Sequence, residues 1–156
     1  MSLTIERVER ATEEVRALID ELEAELSGSY AAEQRHGLNI EQIFQPGILF
    51  FVARLDGAPV GCGGVALDDG FAELKRMFVR RHARGRGMAQ AILARLEAEA
   101  RTRGYKHLML ETGDARSPAI RLYERAGFKR CAAFGAYQTM RPHTIARSLF
   151  FEKRFD

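Results

Sequence analysis

Apolar positions along the chain follow two periods. Val15, Leu18, Ile19, Leu22 and Leu26 recur at helical spacing and mark one face of a first helix. Thr12 stands before it as an N-cap, Glu13 and Glu14 suit its first turn, and Gly28 ends it. Ala89, Ile92, Leu93, Leu96 and Ala100 mark a second helix over Gly87 to Arg103, with Gly104 as a C′ residue. Ser117 caps a third helix, with Pro118 at its first position. Ala119, Leu122, Tyr123 and Ala126 share its face, and Gly127 ends it. Short apolar runs predict strands at Leu3 to Val8, Ile48 to Leu55, Pro59 to Leu67 and Phe71 to Val79. Further strands are expected at His107 to Glu111, Phe128 to Ala133 and Ser148 to Lys153. Asp56-Gly57 and Asp69-Gly70 are hairpin turns. The pattern weakens from Ser29 to Gly47, with one helical turn or two over Asn39 to Phe44 and a break at Pro46-Gly47.

Strand, helix, strand across Phe71 to Glu111 makes a right-handed crossover, so those two strands should be parallel neighbours. The remaining strands read as an antiparallel run before the crossover and a C-terminal pair after it. The fold expected is mixed α/β with helices on both faces. Gly61-Cys-Gly63-Gly-Val-Ala66 matches a dinucleotide-binding spacing, but a turn and another strand follow where that motif needs a helix. These glycines are better explained by close packing or a bulge.

At 156 residues the chain is expected to form one domain over residues 1–156. No apolar run approaches membrane-spanning length and the N-terminus lacks an apolar signal segment, so no membrane partner and a cytoplasmic location are expected. Cys62 and Cys131 are too few for a disulfide framework, and His36, His82, His107 and His143 lack metal-ligand spacing, so no metal is expected. The net charge of +3 is unevenly placed. Lys75, Arg76, Arg80, Arg81, Arg84, Arg86 and further cations crowd the middle third, whereas the N-terminal region is acidic from Glu6 to Glu25. Such a basic field suits an anionic ligand. No nucleic-acid recognition motif accompanies it, so no nucleic acid is expected.

Between the strand ending at Val79 and the helix beginning near Gly87 lies Arg84-Gly85-Arg86-Gly87-Met88-Ala89. Glycines let backbone amides turn toward a ligand, and a helix N-terminus adds free N–H groups and a positive dipole end, a combination suited to phosphate. The run resembles the acetyl-coenzyme A signature Arg/Gln-x-x-Gly-x-Gly/Ala of the GCN5-related N-acetyltransferase (GNAT) superfamily. A second run, Ala119-Ile-Arg-Leu-Tyr123-Glu-Arg125-Ala-Gly127-Phe128, is similar to that superfamily's Ala-x-x-Leu-Tyr-Glu-Lys-x-Gly-Phe motif. The wider pattern resembles its stand-alone bacterial branch. The resemblance implies a mostly antiparallel sheet with a splayed parallel strand pair.

It also implies acetyl-coenzyme A as acyl donor. The pyrophosphate would lie on the amides from Gly85 to Ala89, and pantetheine would pair with backbone near Phe78 and Val79. An N–H around Met77 or Phe78 would face the thioester oxygen. Tyr123 takes the place of the superfamily's general acid, with core packing as its alternative role. Ala119 belongs to the same motif. Arg116 replaces a customary asparagine and could reach a phosphate, as could Arg125. Glu73 is the favoured general base and Glu111 its rival, since adjacent carboxylates can raise one pKa toward neutrality. The activity implied is N-acetylation of a small-molecule amine by direct attack in a ternary complex. A protein or peptide acetyltransferase of the same fold and a coenzyme A-binding module without turnover are the alternatives. A homodimer is allowed. Superfamily acceptors enter between the early helices and the last hairpin. There Tyr30, Phe44, Phe134, Tyr137 and Met140 stand with Arg35, His36, Arg141, His143 and Arg147, which suits a compact acceptor with an apolar part and a carboxylate.

Overall fold

The computed structural model describes residues 2–155. Seven strands form one sheet: β1 (Leu3–Arg7), β2 (Ile48–Leu55), β3 (Ala58–Leu67), β4 (Ala72–Val79), β5 (His107–Gly113), β6 (Lys129–Cys131) and β7 (Ser148–Arg154), in the order β1-β2-β3-β4-β5-β7-β6. Every neighbouring pair is antiparallel except β4 and β5, which run parallel. The helices are α1 (Glu13–Ser27), α2 (Ile40–Ile43), α3 (Met88–Thr102), α4 (Ser117–Arg125) and α5 (Pro142–Ile145).

Strand β2 shows why the sheet is covered on both faces. Leu49, Phe51 and Ala53 join the cluster with Ile92, Leu93 and Leu96 of α3. The intervening Phe50 and Val52 join Val15, Leu18, Ile19 and Leu22 of α1. A strand buried on both sides reads as a continuous apolar run, as Ile48 to Ala53 does. Thr12 caps α1, its Oγ1 accepting from the Val15 amide at 3.2 Å. The short α2 is held by a reciprocal box between Asn39 and Gln42. Helix α4 begins at Ser117 itself, with Arg116 as N-cap, one residue earlier than the cap expected from sequence.

The glycines of β3 make room for α3 and for a bulge. A Cβ on Gly63 would meet Ile92 Cγ2 and Met77 Sδ, both at 2.8 Å. One on Gly61 would meet the Phe78 carbonyl at 2.7 Å. The β3–β4 register slips between Cys62 and Gly64, where Cys62 faces Phe78 but Gly64 faces Lys75. The extra residue places Arg76 at φ +56, a left-handed conformation rare outside glycine.

The parallel pair stays together only briefly. Ala72 faces Leu108 and Glu73 faces Met109, and no further residues pair. Strand β5 instead pairs with β7 along its whole length, from His107 with Arg154 to Gly113 with Ser148. Beyond Glu73 the two strands therefore diverge into a cleft, and the β5-facing edge of β4 is left without a ladder partner. No helix among the described residues is long and apolar enough to cross a membrane.

Candidate active site

The loop into α3 has the form of an anion cradle. Gly85 and Gly87 sit at φ +78 and +79, which a side chain would strain. Gly87 is the N-cap of α3 and provides no side-chain cap. Among the described residues, the amides from Gly85 to Gln90 donate no hydrogen bond, the first donation along α3 being Ala91 N to Gly87 O at 3.0 Å. A row of free amides at a helix start fits a phosphate-bearing group. Arg84 shapes this loop, its Nε donating to the Val79 carbonyl and its Nη2 to Glu25, both at 2.8 Å. Arg116 donates to the other Glu25 oxygen at 2.9 Å. One carboxylate from α1 thus ties the cradle to the start of α4. Burial pushes Glu25 up, but the hydrogen bonds from Arg84 and Arg116 outweigh it and hold the group below the usual range.

The cleft between β4 and β5 brings the three proposed catalytic residues together. Glu73, Glu111 and Tyr123 all line a cavity of about 110 Å³, walled also by Tyr30, Arg35, His36 and Tyr137. Glu73 is tied on two sides. It accepts from the Tyr137 hydroxyl at 2.7 Å and from Lys75 Nζ at 3.1 Å. Lys75 in turn reaches the His36 carbonyl at 3.2 Å. Burial and the neighbouring Glu73 carboxylate push the Tyr137 phenol well above its ordinary range.

Glu111 has a different setting. The one hydrogen-bond partner of its carboxylate among the described residues is the Ser148 hydroxyl, which donates at 2.6 Å. Burial pushes its pKa up, against the Ser148 hydrogen bond and the charges of His36 and Lys75, with the Glu73 charge adding to the rise. Tyr123 is buried and packs edge-on against Phe128. Its hydroxyl has no hydrogen-bond partner among the described residues. Burial pushes the phenol to about 12, helped by the Glu111 charge and opposed by Arg116.

On the α1 side of the cleft two arginines share one carboxylate. Arg35 Nη1 donates to Glu23 Oε2 at 2.8 Å, and Arg76 Nη2 donates to Glu23 Oε1. The Nε of each is buried with no partner among the described residues. The Arg76 side chain is only 2% exposed. Its guanidinium lies against Gly37, where a Cβ would fall 1.7 Å from Nη1.

The other expected site residues divide. Met77, Arg116 and Ala119 line the cleft. Phe78 turns into the α1-side core, and Val79 packs on the α3 side with its carbonyl taken by Arg84. Met88 is buried in the core and Ala89 packs against it, so each can offer the cradle only its amide. Arg86 is exposed in the loop with no ion-pair partner among the described residues. Arg125 is exposed at the end of α4, outside the cleft lining. Of the acceptor set, Tyr30, Arg35, His36 and Tyr137 reach the cleft. Phe44, Phe134 and Met140 pack in neighbouring clusters, Arg141 is exposed, and Arg147 and His143 pair with Asp114 and Glu33. Sequence reasoning assigned no role to Arg76, Glu23, Glu25 or Ser148. The only hint was the long acidic stretch of α1 facing a basic one. Among the described residues no group of three His, Cys, Asp or Glu could hold a metal ion.

Comparison with known proteins bears on the family and the fold. Residues 15–128 match the model of the acetyltransferase (GNAT) family. The chain is 41% identical over 154 residues to the IAA acetyltransferase of Azospirillum brasilense, covering 97% of each. The structure superposes with a TM-score of 0.79 on a putative acyl-CoA N-acyltransferase from Klebsiella pneumoniae, at 32% identity, covering 99% of this chain and 98% of that one. A PaiA N-acetyltransferase from Thermoplasma acidophilum, solved in complex with coenzyme A, shares the fold at a TM-score of 0.72 and 19% identity, covering 99% and 100%. The chain belongs to the GNAT family of acetyltransferases and is an N-acetyltransferase.

Proposed function

We propose that the protein moves an acetyl group from acetyl-coenzyme A to the amine of a compact small molecule, by direct attack with both substrates bound. The observation that carries this reading is the convergence of Glu111, Glu73 and Tyr123 in the cleft opened by the diverging β4 and β5. Acetyl-coenzyme A supplies an activated acyl group and a thiolate leaving group. The amides from Gly85 to Ala89 hold its pyrophosphate, with Arg86 and Arg116 adding positive charge nearby. The unladdered edge of β4 near Met77 supports pairing with an extended arm and a donor toward the reacting oxygen. Tyr123 keeps its proton at neutral pH, as a group that must reprotonate a thiolate should.

The base role moves from Glu73 toward Glu111. A base working near neutrality benefits from a raised pKa, and burial raises Glu111. Glu73 is ion-paired to Lys75 and bonded to Tyr137, so it serves better as a fixed charge that orders that wall. Residues 1–156 work as one catalytic unit in this account.

A small acceptor is favoured over a protein lysine. The cleft wall carries Arg35, Lys75, Arg76 and Arg116, whereas an acidic groove would suit a basic peptide. The test is thiol release from acetyl-coenzyme A across a panel of amines, amino acids and peptides, with the acetylated product identified by mass. Acetylation of a small amine supports the reading. Preference for a lysine-rich peptide overturns the acceptor class.

A further inference from the structure

The features of Arg76 are individually costly. Its backbone is in the left-handed region, where a non-glycine residue is strained. Its side chain is buried and charged, and burying a guanidinium without full pairing is unfavourable. It shares Glu23 with Arg35, so two positive charges face one negative charge. The buried Nε of each arginine lacks a partner among the described residues. Among the described residues, the Arg35 guanidinium bonds protein only through Nη1, and that of Arg76 only through Nη2. The arrangement further requires a glycine at 37, because any side chain there would displace the Arg76 guanidinium. Core stability alone gives no reason to keep such a pair, since an apolar replacement usually serves packing as well.

The pair stands in the cleft wall that holds Glu73 and Glu111. Lys75 cannot answer the same need, because Glu73 already balances it at 3.1 Å. A second carboxylate, brought by the acceptor, would balance the surplus charge and take up the free donors, and arginine is suited to binding it through two parallel hydrogen bonds.

We infer that Arg35 and Arg76, held by Glu23 and seated on Gly37, form a carboxylate-binding subsite, so that the acceptor is an amine bearing a carboxylate, of the amino-acid class. The inference rests on the reading of the cleft as an acetyltransferase acceptor site. The carboxylate anchors the acceptor against the α1 side of the cleft, and its amine faces the Glu111 side. Arg35 and Arg76 determine specificity and take no part in proton transfer.

The test compares each proteinogenic amino acid with its own carboxamide, which keeps the amine and removes the charge. For the best acceptor, kcat/KM for the acid should exceed that for the amide by roughly tenfold to a hundredfold, the range of a charge-assisted contact. In Arg35→Gln that ratio should collapse toward one through a higher KM for the acid, with kcat and the KM for acetyl-coenzyme A little changed. Arg35 is chosen because it lies nearer the surface than Arg76. Gly37→Ala, which displaces Arg76 without removing a charge, should lower the same ratio. A second readout needs no turnover: calorimetry of the N-acetylated amino acid and the N-acetylated amide on coenzyme A-saturated protein. Selective binding of the acid, lost in Arg35→Gln, supports the subsite even if no acetyl transfer is found, in which case the reaction assignment fails and this one stands. Equal treatment of acid and amide, or a preference for the acid that survives Arg35→Gln and Gly37→Ala, overturns it.

Discussion

At the scale of single residues, the proposed chemistry rests on two groups that burial pushes in the same direction for different ends. Tyr123 is held at about 12, so it remains a donor across the physiological range. Tyr123→Phe is expected to lower kcat by roughly 10²-fold with little change in the KM for acetyl-coenzyme A, since general acid catalysis is commonly of that size. Glu111 must lose its proton to act, and its raised pKa displaces the acidic limb of the kcat/KM profile upward from the ordinary carboxylate range. Glu111→Gln should remove that limb, and Glu73→Gln should leave it in place. The reverse pattern would return the base role to Glu73. The same shift has a stability consequence. A carboxyl whose pKa is higher folded than unfolded favours the folded state fully below its unfolded value, and that contribution is lost as pH rises through the folded value. Glu111→Gln should therefore lose less Tm than the unsubstituted protein as pH rises from the ordinary carboxylate range toward neutrality, as scanning calorimetry would show. The two carboxylates were legible in the sequence, but their ranking was not. It depends on Ser148 meeting Glu111, on Tyr137 meeting Glu73, and on burial, all set by contacts distant in the chain; the Lys75 contact to Glu73 is local and does not by itself rank the two.

At the scale of elements, the cradle and the β3–α3 contact are the parts most sensitive to small changes. Gly87→Asp would strain a position at φ +79 and put a carboxylate at the cradle. Coenzyme A affinity should fall by at least ~2 kcal/mol, measured by calorimetry on the folded variant. Gly63→Ala would press a methyl group on Ile92 and Met77 and should destabilise the fold by about 1–3 kcal/mol in denaturant titration. The elements themselves were readable because their signals are local. Thr12 caps α1, Asp56-Gly57 turns the first hairpin with both residues at positive φ, and the α3 stripe lies against the sheet. Glycines of β3 were correctly separated from a nucleotide motif because no helix follows them. The bulge at Arg76 was not readable, since nothing about an arginine inside an apolar strand marks a left-handed backbone. The C-terminal strand pair is shorter than expected at β6, where pairing covers only Lys129 to Cys131 before the chain leaves to build the cleft wall carrying Tyr137.

At the scale of the whole molecule, charge that looks separated along the sequence is largely paired in space. Glu21, Glu23 and Glu25 of α1 meet Arg80, Arg76 and Arg84 of the basic middle third. The acidic helix therefore reaches the loop before α3 through Glu25 and the cleft wall through Glu23, two residues apart on α1. No local motif announced this pairing. The parallel strand pair and its crossover were foreseeable from element order, and the resemblance supplied the splay. The structure adds that pairing stops at Glu73, which places both carboxylates and Tyr123 on one cleft. The most direct test of the account is the initial rate of thiol release from acetyl-coenzyme A, with both substrates varied, using the best amine from the panel. The account predicts intersecting double-reciprocal lines, stoichiometric N-acetylated product, and loss of the rate in Tyr123→Phe. Parallel lines with a stable acetylated protein, or no small amine acetylated by a protein that binds coenzyme A, would contradict it.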